Sequence, residues 1–300
     1  MKRTWTHSEN AALARLFSSS VVRELAHKGY SPLVGKLLYE SGLSQSLQNP
    51  YKLSEVFDLA FGILRTKDNR HEYIYKNAIA KKVLLGKHNL RTSCMLTEFR
   101  TGNCKADVVI LNGTSTVYEI KSERDTLGRL EKQLHEYLRV FDGVQVIAGE
   151  NHISALERTL PAEVGILVLT DRFGISEYRS SRSNVANVLP EQIFESLQRI
   201  EYLAILRKYG LVLPEVPNTR VHTVAKELFA SLTPEQAHTG MVDVLKNTRS
   251  PIILREFIQS VPDSLKAAAV SVPLTRWERL RFLESLDTRV ETVLDWARGR

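Results

Sequence analysis

Residues 106–121 read Ala-Asp-Val-Val-Ile-Leu-Asn-Gly-Thr-Ser-Thr-Val-Tyr-Glu-Ile-Lys, and this stretch restricts the fold more than any other. Val108 to Leu111 is a short apolar run that stops at Asn112-Gly113, a pair that favours positive φ, and Thr116 to Ile120 is a second β-rich run. Two runs so separated predict an antiparallel hairpin. Asp107 then starts the first strand and Glu119 lies near the end of the second, so both carboxylates fall at one end of the sheet. Glu119 and Lys121 are two apart and leave the same face, while Ile120 turns into a core. A hard divalent ion such as Mg²⁺ takes carboxylate oxygens and water, and a neighbouring ammonium can orient or deprotonate one of those waters. The same charges are also common on a solvated hairpin, so the surrounding pattern has to decide.

After Lys121, Leu127, Leu130, Leu134, Tyr137, Leu138 and Phe141 recur at steps of three and four and predict an amphipathic helix. Gln133 and Tyr137 sit one turn apart on it. An amide in an apolar stripe needs a partner, whereas Tyr137 fits core packing and a functional role equally well. Val144 to Ala148 and, after a break at Pro161, Val164 to Thr170 read as buried strands. Upstream, a helix over Arg70 to Leu85 carries Glu72, and a strand over Ser93 to Arg100 carries Glu98. The expected order downstream is hairpin, helix, strand, strand.

From Arg70 to Tyr178 the chain resembles the PD-(D/E)xK nuclease superfamily, with Asp107 as the motif aspartate and Glu119-Ile120-Lys121 as the (D/E)xK. Gln133-Leu-His-Glu-Tyr137 is similar to the QxxxY helix of the RecB-like branch. Glu72-Tyr-Ile-Tyr-Lys-Asn77, Glu98-Phe-Arg and Tyr118-Glu-Ile-Lys121 are similar to wording in a poorly characterised group of small bacterial and phage proteins of that superfamily. Ala106 stands where the family often has proline, a position that carries no ligand. The resemblance implies an α/β, restriction-endonuclease-like core with a mixed sheet flanked by helices. It implies Mg²⁺, with Mn²⁺ able to substitute, held by Asp107, Glu119 and the Ile120 carbonyl. Glu72 is the best match for the helix carboxylate that often joins the site, and Glu98 is its rival. Lys121 positions the attacking water, Gln133 fixes metal-site or phosphate oxygens, and Tyr137 supports Gln133 or touches the substrate backbone. The implied reaction is hydrolysis of a phosphodiester, most readily in DNA, without a covalent intermediate. Endonuclease or exonuclease action stays open. The alternative is a non-catalytic nucleic-acid-binding or assembly protein that keeps the fold as a scaffold.

Composition fits a globular chain, with 43% hydrophobic and 25% charged residues in 300. No stretch approaches the roughly 20 apolar residues of a membrane span, and the first residues lack the apolar core of a signal peptide, so a cytoplasmic protein is expected. Cys94 and Cys104 flank the Glu98 strand and are expected as reduced thiols, not a zinc site. The formal net charge of +7 is spread as +4 over residues 1–70, +1 over 71–180 and +2 over 181–300. Phosphate contacts are therefore expected from local clusters: Lys81-Lys82 with Lys87-His88 and Arg91, or Arg124, Arg129 and Lys132.

Helical spacing recurs at Glu9 to His27, Ser31 to Ser41 and Ser54 to Thr66, with a break at Asn49-Pro50. It recurs again at Pro190 to Tyr209, Thr219 to Ser231, Thr233 to Lys246, Ile252 to Gln259 and Leu274 to Ala297. These patterns predict an N-terminal helical extension over 1–69, a nuclease core over 70–180 and a C-terminal helical domain over 181–300. The last of these, with Trp277 and Leu280 edged by arginines, leaves room for a homo-oligomer or a protein partner.

Overall fold

The structure is a computed structural model that describes residues 4–45, 51–87, 92–249 and 255–298. Asn49-Pro50, His88, Arg91 and Ile252 lie outside the described residues. The chain divides into two compact units, one of residues 1–81, 171–173 and 253–300, the other of 82–170 and 174–252. This differs from the three consecutive segments expected. The C-terminal region is shared out, its first part joining the sheet and its last part joining the N-terminal helices.

The first unit is helical. The pattern from Glu9 to His27 forms two helices, His7–Arg15 and Ser19–Lys28, because Ser18 turns extended and caps the second by accepting from the Val21 amide. Gly29, at φ +78°, ends that helix in the left-handed conformation. Helices Pro32–Glu40, Leu53–Leu64 and Glu72–Ala78 follow, and the C-terminal part adds Arg255–Ser260, Lys266–Ser271, Arg276–Leu286 and Val290–Trp296. The two ends of the chain are joined by backbone hydrogen bonds from Leu53 to the Thr288 carbonyl and from Val290 to the Tyr51 carbonyl, both 2.9 Å. Gly35 allows Pro32–Glu40 to approach Val290–Trp296, since a Cβ there would stand 2.7 Å from the Val293 carbonyl oxygen.

The second unit is mixed α/β. Its six strands lie side by side in chain order: β1 (Cys94–Thr101), β2 (Cys104–Leu111), β3 (Ser115–Lys121), β4 (Gly143–Ala148), β5 (Gly165–Leu169) and β6 (Ile175–Arg179). β1, β2 and β3 are antiparallel, β3, β4 and β5 are parallel, and β6 returns antiparallel. Each parallel step is spanned by a helix, Leu130–Leu138 before β4 and Ile153–Thr159 before β5, as parallel neighbours require. The second of these, and β6, were not in the sequence expectation. The hairpin turn is where Asn112-Gly113 puts it, with Gly113 at φ +98°. β2 begins three residues earlier than expected, so Asp107 lies within the strand and not at its start.

One face of the sheet shares an apolar cluster with helix Leu130–Leu138 and with helices Pro190–Glu195, Arg199–Lys208, Asn218–Ala230 and Pro234–Thr248. The pattern from Pro190 to Tyr209 is two helices, because Gln198 opens a second start and Glu201 bonds back to its amide. Glu201 is buried and bound by Arg249 at 2.7 and 2.8 Å, a forked pair that lets the carboxylate leave water. Cys94 and Cys104 are free thiols, and burial pushes Cys94 up to about 12.

A polar knot fixes the start of β3. The Asp142 carboxylate accepts from Thr114 and Ser183 hydroxyls and from the Asn184 and Val185 amides, while Ser115, fully buried, bonds His238 Nε2 at 2.8 Å. Burial lowers the pKa of His238, with Asp142 opposing, so the folded state holds it neutral. The unfolded chain takes up a proton as pH falls through its ordinary value of 6.5, and the folded chain resists doing so. Stability is therefore expected to fall below that pH, by at most about 1.4 kcal/mol per pH unit. Urea unfolding between pH 8 and 5 checks this, and His238→Gln should flatten the slope.

Candidate functional site

β3 carries Glu119 and Lys121 on one face, and helix Leu130–Leu138 lays Gln133 and Tyr137 against them. Lys121 Nζ donates to Glu119 Oε1 at 2.6 Å and to Gln133 Oε1 at 3.0 Å. The Tyr137 hydroxyl stands 2.7 Å from Glu119 Oε2 and 3.1 Å from the Lys105 carbonyl. It has one proton, and the charged carboxylate is the stronger acceptor. Burial, then the Glu119 charge, push the Tyr137 pKa up, so the group stays a donor. Glu119 is 1% exposed and Lys121 6%. The expectation that Gln133 needs a partner is met by Lys121. Tyr137 meets the core-packing reading, with its ring fully buried 6.2 Å from Phe141, and its hydroxyl lies on Glu119.

Asp107 enters from β2. In the β2–β3 ladder Val108 pairs with Tyr118, and the next ladder bond to β3 would bring the Ile120 amide to a β2 carbonyl. That amide instead donates to Asp107 Oδ2 at 2.8 Å. The side chain stands in for the neighbouring backbone, and the strands separate there. Since N–H and C=O of a residue in an antiparallel ladder face the same neighbour, the Ile120 carbonyl also faces β2.

Glu98 is the residue opposite Asp107, skipped in an otherwise even β1–β2 register between Thr97↔Val108 and Phe99↔Ala106. It sits at φ +53°, a left-handed conformation rare for a side-chain-bearing residue within a strand. The consequence is visible in packing. Cys94, Leu96 and Phe99 all join one apolar cluster, and so do Val109 and Ala106, although strict alternation sends residues three apart to opposite faces. The hairpin changes face at Glu98 and Asp107, whose carboxylates approach within 4.8 Å. No sequence signal marks that φ; only the register exposes it.

Asp107, Glu119, Ile120, Lys121, Gln133 and Tyr137 are thus brought together, with Glu98 beside Asp107. Glu72 belongs to the helical unit, where it opens helix Glu72–Ala78 and pairs with Lys76 at 2.5 Å. Glu119 faces Lys121 and Tyr137, each taking one of its oxygens. A carboxylate oxygen accepts about twice, so both oxygens keep capacity for a ligand bond. That donor set, oxygen only and carboxylate-rich, fits Mg²⁺ or Mn²⁺.

A family model described as bacteriophage P4 protein cII matches residues 65–267, which include all of these residues. The chain belongs to that family. Protein cII of Enterobacteria phage P4 is 26% identical over 156 residues, covering 51% of this chain and 52% of the relative. The chain thus spans about half the length of the curated relative it matches. A solved protein of unknown function from Silicibacter pomeroyi has a TM-score of 0.31 and 20% identity, over 45% of this chain and 86% of the other. Among the described residues of this cII-family chain, no helix is long and apolar enough to cross a membrane.

A buried carboxylate that loses its cation is costly, about 3–5 kcal/mol, whereas removing both charges costs less. Lys121→Met is therefore expected to lower the unfolding free energy by that amount, and Glu119→Gln/Lys121→Met to recover much of it. Urea melts of the wild type, both single variants and the double variant test the pairing.

Proposed function

We propose that the sheet unit is a Mg²⁺-dependent nuclease of PD-(D/E)xK type that hydrolyses phosphodiester bonds, with DNA as substrate. The observation that carries the reading is the convergence of Asp107, Glu119 and Lys121 with Gln133 and Tyr137, where β2 and β3 part. The fold order supports it: an antiparallel β1–β2–β3 meander, a helix bearing Gln133 and Tyr137, then β4 parallel to β3. Solvated hairpin charges would not be buried or bonded in this chain of contacts.

Asp107, Glu119 and the Ile120 carbonyl would hold the ion, with Glu98 beside Asp107. A bound Mg²⁺ supplies a polarised water and offsets charge on the phosphoryl oxygens. The protein's own residues supply the order. The Ile120 amide fixes the Asp107 carboxylate, Tyr137 fixes Glu119, and Gln133 accepts a second hydrogen bond from Lys121. Lys121 is the one ammonium in this set. Released from Glu119, it keeps Gln133 as an anchor and can turn to a water or a phosphate oxygen.

The rival reading is a scaffold that binds nucleic acid or assembles without cleaving, in which Lys121 and Glu119 merely satisfy each other. Incubating the purified chain with single-stranded DNA, duplex DNA and RNA, with Mg²⁺, Mn²⁺ or chelator, separates the two. Cleavage is expected with either metal, abolished by chelator, and reduced at least about 100-fold by Asp107→Ala or Lys121→Ala. Activity that persists in chelator or in either variant would refute this mechanism, and metal-independent binding without cleavage would favour the scaffold. Circular dichroism of the variants guards against loss of fold.

A further inference from the structure

We propose that the β1–β2 hairpin is a phosphate-backbone contact, in which Arg100 and Lys105, with Lys132 beside the hairpin tip, hold a DNA strand next to the candidate site. The inference rests on the nuclease reading and adds where the substrate backbone is gripped.

Arg100 and Lys105 are direct partners in the β1–β2 ladder. Like charges placed opposite each other across a ladder are destabilising, so this pair works against the fold that holds it. Both side chains are exposed, and among the described residues neither makes an ion pair or side-chain hydrogen bond. The other cations of this unit that are bonded look different: Arg249 grips Glu201, Lys208 binds Asp243, and Lys226 binds Glu195.

Lys105 is two residues from Asp107, roughly 7 Å along the strand. Its backbone is held in the β1–β2 ladder opposite Arg100, with its carbonyl 3.1 Å from the Tyr137 hydroxyl. The cation therefore stands on a strand fixed beside the site. Lys132, exposed on helix Leu130–Leu138 one residue before Gln133, stands one turn from Glu136, the residue of that helix that reaches Gly102 in the hairpin tip. The nearby acid on that helix, Glu136, is turned onto Gly102 in the hairpin tip and reached by Arg139 at 3.9 Å. Glu98, the remaining acid on the hairpin, faces Asp107.

An anion seated on Arg100 and Lys105 converts their repulsion into two charge-assisted hydrogen bonds. Arginine's fork fits phosphate oxygens, and lysine serves as a point charge. A phosphodiester chain is the polyanion that can reach this pair and the Asp107 end of the sheet together.

The test is fluorescence anisotropy of the full chain with labelled 20-nucleotide single-stranded and duplex DNA, in chelator so that nothing is cleaved, from 50 to 200 mM salt. Each lost phosphate contact lowers the slope of log affinity against log salt by about 0.9 on duplex and 0.7 on single strands. Arg100→Gln/Lys105→Gln is expected to lower the slope by nearly two such contacts, and Lys132→Gln by one. Arg100→Lys/Lys105→Arg should keep the slope. The double glutamine variant should unfold at or above the wild-type temperature, since it removes a repulsion. A slope unchanged in the double glutamine variant, or no salt-dependent binding by the wild type, would overturn the proposal. Cleavage that needs Asp107 while the slope ignores Arg100 and Lys105 removes this contact and leaves the nuclease. A slope that falls in a chain that never cleaves removes the nuclease and leaves the contact.

Discussion

Glu119 sits in the third strand of a six-stranded sheet, under a helix and shielded from water, where an unmatched carboxylate costs several kcal/mol. Its two oxygens are met by Lys121 from the same strand and by Tyr137 from the helix. That requirement fixes much else. Lys121 must lie two residues along, Tyr137 must face the sheet, and Gln133 must stand one turn earlier to accept a second of the ammonium's three hydrogens. The helix is held in register by polar bonds at its sheet face and by apolar packing of Leu130, Leu134 and Phe141 around them.

The second constraint is the change of face at Glu98 and Asp107. β1 and β2 keep an even register through that point, so the switch comes from backbone conformation and not from an inserted residue. A left-handed φ at a glutamate carries strain of about 1–3 kcal/mol, which the surrounding ladder holds in place. It turns Phe99 and Ala106 inward beside Phe141 and Tyr137. It also frees the Asp107 side chain to replace a ladder acceptor for Ile120. The parted strands and the gathered carboxylates follow from the same local event.

Much of this is written plainly in the chain. Asn112-Gly113 and the runs beside it specify the hairpin, the leucine spacing after Leu127 specifies the helix, and Gln133 and Tyr137 lie on its inward face. What stays hidden has physical causes. Glu98 carries no residue-level sign of its left-handed backbone, because glycine or asparagine, the usual markers, are absent there. Helix Ile153–Thr159 is short, and its seven residues give too little periodicity to stand out beside the strands. Ser18 and Gln198 split long helical patterns through capping bonds that spacing does not reveal. The division of the C-terminal region between two units depends on tertiary packing, which no local pattern encodes. His238 looks like an ordinary helix residue until its helix lays it on Ser115.

The region matched by the bacteriophage P4 protein cII family, residues 65–267, takes in both the sheet and the helices that share its apolar cluster. The proposed nuclease chemistry depends on the Glu119, Asp107 and Ile120 oxygens holding a divalent cation. Anomalous scattering from crystals grown with Mn²⁺ tests it most directly. A strong anomalous peak is expected within about 2.0–2.4 Å of Asp107 and Glu119 oxygens, with Lys121 turned away from Glu119 and still bound to Gln133. Crystals at millimolar Mn²⁺ with no peak there, and Lys121 still closed on Glu119, would contradict it.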